Sequence, residues 1–146
     1  MNCVIDELYQ KNLLRLAANA VGDGTLENPD ATETLDNPTC GDRITMQVKL
    51  EDGRISDLNH QNRSCVLCQA AASLIGENAV GREASEISRT RDNLQSMLQG
   101  ETVQVKPEWK KLEFFNVVSA HKSRHNCVLL PFDALIKALE TAKTKA

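Results

Sequence analysis

The sequence predicts an α+β fold, a small antiparallel sheet of about three strands packed against several helices. Three observations carry this. Period-2 alternation is concentrated between residues 31 and 62, helical periodicity dominates after residue 66, and no strand–helix–strand alternation joins them. At 146 residues the chain can bury a core without staples, and one domain over 1–146 is expected.

Residues 5–20 carry Ile5, Leu8, Leu13 and Leu16 near helical spacing, with acids early, which predicts an amphipathic helix ending before Gly22. Two glycines and Asn28-Pro29 make 22–31 a loop. A short strand is expected over 31–36. Ile44, Met46, Val48 and Leu50 then alternate with Thr45, Gln47 and Lys49, the pattern of a half-buried strand. Asp52-Gly53 supplies a hairpin turn into a second strand from Ile55 to about Asn62, whose alternation is poorer.

Ala- and Leu-rich residues 66–80 predict a helix stopped at Gly81, and 84–99 predict another ending at Gly100. Pro107 closes a spacer. Trp109, Leu112, Phe114 and Phe115 are expected in the core, and a last helix is expected from near Pro131 to Lys143 with Leu135, Ile136 and Leu139 inward.

Composition excludes several function classes. A net charge of −3 offers no nucleic-acid field, and 3% aromatics supply no stacking platform for single strands. No apolar run is long enough for a bilayer, and Asp6 and Glu7 sit where a secretory signal would be basic. A cytoplasmic home is expected, where cysteines stay reduced. Five cysteines (Cys3, Cys40, Cys65, Cys68 and Cys127) cannot all pair within one chain, so metal or thiol chemistry outranks a disulfide framework.

Cys40, Cys65 and Cys127 all fall at element ends, in the turn entering a strand, between a strand and a helix, and by the last helix. Loops and helix N-termini favour thiolates through backbone N–H groups and the helix dipole. Element ends that converge at one sheet edge can supply the three or four N, S or O donors of a tetrahedral site. Asp42, two residues past Cys40 in the turn-forming DNPTCGD, adds a hard oxygen donor. Cys68 stands one helical turn from Cys65 and is an alternate ligand, half of a C-x-x-C redox pair, or an alanine-sized core residue. The last is favoured. His125, two residues from Cys127, is a spare ligand or part of a solvated basic loop with His121, Lys122 and Arg124. His60 is expected to face solvent, and Cys3 to be incidental.

NPTCGDRITMQVKLEDGRISD resembles the first cysteine motif and hairpin of the iron–sulfur cluster assembly scaffold family, the IscU/NifU N-terminal type, and RHNCVLLPFDALIKALE resembles its third-cysteine helix. Spacings of 25 and 62 positions between the three cysteines fit that family, and the long second gap resembles the SufU branch. The likeness runs from Leu8 onward and implies a SufE/NifU-like fold. It implies that Cys40, Asp42, Cys65 and Cys127 hold a transient [2Fe–2S] cluster or a zinc ion. It also implies a cysteine desulfurase as sulfur donor, apo iron–sulfur proteins as acceptors, and a monomer or weak homodimer.

Three features depart from the family pattern. Ser64 precedes the second cysteine in place of the usual glycine, and Asn126 precedes the third, so the histidine ligand of other members is not carried to it. The chaperone-recognition element Leu-Pro-Pro-Val-Lys has no counterpart in VSAHKSRHN. Three functions follow: a scaffold, a zinc-bound sulfur-transfer partner with Cys127 as candidate persulfide acceptor, and a C-x-x-C oxidoreductase. The first is favoured. The third lacks a βαβ context and leaves the Cys40–Asp42 motif unexplained.

Overall fold

A computed structural model describes residues 3–145, with side-chain surroundings from Tyr9 to Thr144. Helix α1 (Cys3–Asn19) leads to strands β1 (Ala31–Asn37), β2 (Asp42–Glu51) and β3 (Arg54–Arg63). Helices α2 (Val66–Asn78) and α3 (Ala84–Leu98) follow, then a 3₁₀ segment (Pro107–Val118), a short 3₁₀ turn (Lys122–Arg124) and α4 (His125–Lys145). The expected α+β architecture is borne out, and its sheet has the antiparallel order β1-β2-β3. The side chains of Ile5 and Leu8, and that of the incidental Cys3, lie outside those described.

β2 is the central strand, and its alternation is the one the sequence displays. Ile44, Met46 and Val48 are fully buried on the face covered by α4, while Thr45 and Gln47 are only half-buried. The Asp52-Gly53 turn has both residues at positive φ, 53° and 79°, as a two-residue hairpin requires. β3 pairs Lys49 with Asp57 but Leu50 with Ile55, so one extra residue bulges between them. That bulge puts Ile55 and Leu58 on one buried face although they are three apart. His60 continues the same face from Leu58. It is 2% exposed, which corrects the expectation that it faces solvent.

The last helix also differs from expectation. It starts at His125, six residues before the anticipated Pro131, which lies inside it. An interior proline removes one i→i−4 hydrogen bond, here to the Cys127 carbonyl, at a cost of about 3 kcal/mol. Val128, Leu130 and Phe132 are buried around it, and each buried side chain of that size returns about 1.5–3 kcal/mol. Packing outweighs the local preference, so the helix runs through and carries Cys127 in its first turn. Trp109, Leu112 and Phe115 are buried as expected, with Trp109 tilted against Phe132 at 6.0 Å between ring centres. Phe114 is only partly buried, against Tyr9.

Candidate metal centre

Antiparallel pairing sets the site. Asp42 opens β2 opposite Asn37, the last residue of β1, and Arg43 pairs with Arg63, the last of β3. The β1–β2 turn and the β3–α2 junction therefore emerge side by side at one end of the sheet. α4 packs on β1 and β2 and brings its N-terminus there too. In the turn, Gly41 N–H donates to the Asn37 carbonyl at 2.8 Å. Gly41 closes it at φ +73°, a conformation that favours glycine. Cys40 is thus held out of the turn, and the chain returns to the sheet at Asp42.

One donor atom from each of Cys40, Asp42 and Cys127 lies within 4.8 Å of the other two. Cys127 Sγ donates to Cys40 Sγ at 3.1 Å, and Asn37 Nδ2 donates to Cys127 Sγ at 3.9 Å. Cys65 completes the group from the other side. Its backbone N–H donates to Asp42 Oδ1 at 2.8 Å, and its Sγ lies 3.6 Å from Oδ2. Asp42 is 2% exposed and Cys127 fully buried, while Cys40 and Cys65 remain partly open.

Two helix N-termini face this cluster, since Cys65 caps α2 and Cys127 sits in the first turn of α4. Both favour thiolates. Burial opposes them at Cys127 and drives its thiol well above the ordinary range, aided by its hydrogen bonds with Cys40 and Asp42 and by the negative charges of Cys65 and Asp42. Among the described residues Asp42 makes no ion pair with lysine, arginine or histidine. Deprotonation of these thiols would therefore crowd negative charge beside Asp42, with no cationic side chain among the described residues paired to it. A cation bound among them would reverse that penalty, and thiolates with one oxygen suit zinc or iron. This is a cysteine/aspartate metal site in geometry and chemistry.

The two alternates stand apart. Cys68 is buried, and its S–H donates to Asn62 Oδ1 at 3.8 Å. An amide oxygen accepts from a thiol but repels a thiolate, and burial, the largest cause, pushes the Cys68 thiol up to about 12. His125 Nε2 is spent on the Ser119 carbonyl at 3.0 Å, while His121, Lys122 and Arg124 form the solvated loop expected of them. Sequence reasoning missed Asn37, which backs the Cys127 thiol, and Asn62 and His60, which seat Cys68. For His60 the signal was present, two positions beyond Leu58 on an inward-facing register.

Residues 8–146 match the family described as NifU-like N terminal domain. The chain belongs to that family. It is 28% identical to the iron-sulfur cluster assembly scaffold protein IscU of Thermotoga maritima over 94% of this chain and 96% of that protein. It is 26% identical to the zinc-dependent sulfurtransferase SufU of Bacillus subtilis over 94% of this chain and 93% of the relative. The crystal structure of a NifU-like protein (N-terminal) from Brucella abortus superposes with a TM-score of 0.90 at 32% identity, covering 97% of this chain and 99% of that one. The family resemblance read from the cysteine motifs is borne out. No described helix of this family member is long and apolar enough to cross a membrane.

Proposed function

We propose that this NifU-like chain is an iron–sulfur cluster assembly scaffold, working as one unit. It binds iron and a nascent [2Fe–2S] cluster, its cargo, through Cys40, Asp42, Cys65 and Cys127, with sulfur from a cysteine desulfurase. The observation that carries this is the meeting of Cys40, Asp42 and Cys127 within 4.8 Å, with Cys65 against the same carboxylate. A relative named as a scaffold, matched over nearly its whole length, supports it.

The donor set suits temporary storage. Four thiolates give the ordinary closed cluster site. Exchange of one thiolate for a carboxylate, with two cysteines still open to solvent, favours release to an apo acceptor protein. Cys40 and Cys65, both partly open, are within reach for sulfur delivery, and Cys65 also borders an open groove. The candidate acceptor Cys127 is fully buried, which weighs against that role. The relative named as a zinc-dependent sulfurtransferase favours a second reading, in which the same donors hold zinc and the protein passes sulfur onward.

Anaerobic reconstitution with iron, cysteine and a desulfurase separates the two. A scaffold gains the visible absorption of a [2Fe–2S] cluster and passes the cluster to an apo ferredoxin. Retained zinc with no cluster transferred would sink the scaffold reading.

A further inference from the structure

Cys68 is left over by the metal site, yet it is seated as if it mattered. Its thiol meets Asn62 Oδ1, which also accepts from Ser64 Oγ at 3.1 Å. Asn62 Nδ2 is in turn held by His60 Nδ1 at 3.0 Å, and His60 Nε2 by the Val21 carbonyl at 2.8 Å. An alanine-sized core position needs no such chain of polar partners. Cys65 is the N-cap of α2 and Cys68 its third residue.

An N-cap side chain has the reach to touch the backbone of the third helical residue. Cys65 Sγ makes no such cap bond because it is turned towards Asp42. Rotation about the Cα–Cβ bond of Cys65 swings the sulfur over the first turn of α2. Residues three apart on a helix have Cα atoms about 5 Å apart, inside the range a disulfide accepts. Cys65 also borders an open groove of about 610 Å³ lined by Leu13, Val66, Leu67, Val117 and Arg124, a route for a sulfur donor.

We infer that Cys68 is the resolving thiol for a sulfur atom delivered to Cys65, releasing it as sulfide while Cys65 and Cys68 join in a disulfide. This rests on the proposed function, in which sulfur arrives as a persulfide. Cys68 Sγ attacks Cys65 Sγ, the Cys65–sulfane bond breaks, and the Cys65–Cys68 bond forms. The sulfane sulfur leaves with the bonding pair and the proton of Cys68. Cys68 is thereby oxidised to the disulfide level and the outer sulfur reduced to sulfide, the form a cluster incorporates. An external dithiol resets the pair. Burial keeps Cys68 protonated at rest, so resolution is slower than attack by an exposed thiolate and leaves time for the persulfide to be handed on.

The test uses metal-free, reduced protein treated with inorganic polysulfide. After excess reagent is removed, sulfide release is followed and disulfides are mapped by peptide mass spectrometry. Wild type is expected to release about one equivalent of sulfide without added reductant and to gain a Cys65–Cys68 bridge. Cys68→Ala and Cys68→Ser are expected to keep the persulfide on Cys65 and release about 10-fold less until a dithiol is added. Thermal melts of both variants check folding. A persistent Cys65 persulfide in wild type, a bridge mapped to Cys40–Cys127, or equal release from the variants overturns the inference. Cluster transfer does not enter this assay, so failure here leaves the scaffold reading to its own experiment.

Discussion

The two halves of the metal site are built on different principles. Cys40, Asp42 and Cys127 come from a tight turn and a buried helix start, and their donor atoms already lie within 4.8 Å. Cys65 comes from a helix cap beside an open groove, its thiol hydrogen-bonded to Asp42, and has a second thiol one turn further along the helix. In the proposed scaffold the first half grips the metal and the second is open to a partner. Asp42 joins them, with one oxygen on the Cys65 N–H and the other beside the Cys65 thiol.

The largest effect should come from breaking the gripping half. Structural zinc sites are worth about 10–16 kcal/mol, so loss of one of four donors removes about 3 kcal/mol, or roughly 100-fold in affinity. Cys127→Ala is expected to weaken zinc binding by about that factor, while Cys68→Ala leaves it within about 2-fold. Competition with a chromogenic chelator measures both. Zinc lost on Cys68→Ala but retained on Asp42→Ala would show that Cys68, not Asp42, completes the site.

Asp42→Cys sharpens the comparison by making the linker resemble its neighbours. A fourth thiolate should hold a cluster more tightly, and transfer to an apo ferredoxin is expected to slow by about 10-fold. Stopped-flow absorbance of the acceptor follows the rate. Unchanged transfer would mean that the carboxylate is not what keeps the cargo exchangeable.

How far the sequence revealed these halves depends on whether the signal was local. The turn before Cys40, the alternation of Ile44, Met46 and Val48, and the Asp52-Gly53 hairpin are short-range patterns, and all were legible. The start of α4 was not. Pro131 reads locally as a first helical residue, and only the burial of Val128, Leu130 and Phe132 in three dimensions overrides that. The bulge opposite Lys49 and Leu50 breaks the strand's period between Ile55 and Leu58, and His60 was legible only from Leu58 onward. Convergence of Cys65 with Cys40 depends on β2–β3 register, which spacing alone leaves open.

Buried thiols behind both halves make stability depend on alkaline pH. Burial takes Cys68 from 9.0 up to about 12, so the folded protein holds that proton more firmly than the unfolded chain. Its contribution to stability is complete below pH 9 and disappears between pH 9 and 12. At pH 10 the loss is on the order of 1 kcal/mol. Urea titrations of metal-free protein at pH 8 and 10 should show this in wild type and a shallower loss in Cys68→Ala. An equal slope in both would place the alkaline sensitivity on Cys127, whose thiol is raised for the same reason.

The smallest effect lies behind the second half, at the base of the chain that seats Cys68. His60 is depressed below 6.5, chiefly by burial, with partial relief from the Val21 carbonyl. The neutral ring gives its Nε2 hydrogen to Val21 and accepts from Asn62 at Nδ1, and a second proton would displace Asn62. The unfolded chain takes up that proton more readily than the folded one, so stability is complete above pH 6.5 and declines as pH falls. His60→Gln keeps a donor for Val21 and cannot titrate, and should flatten this acid limb. The loss of Asn62's partner should loosen Cys68, read as faster labelling by a small alkylating agent at neutral pH. A flattened limb with unchanged Cys68 labelling would confine His60 to the Val21 loop and detach it from the resolving thiol.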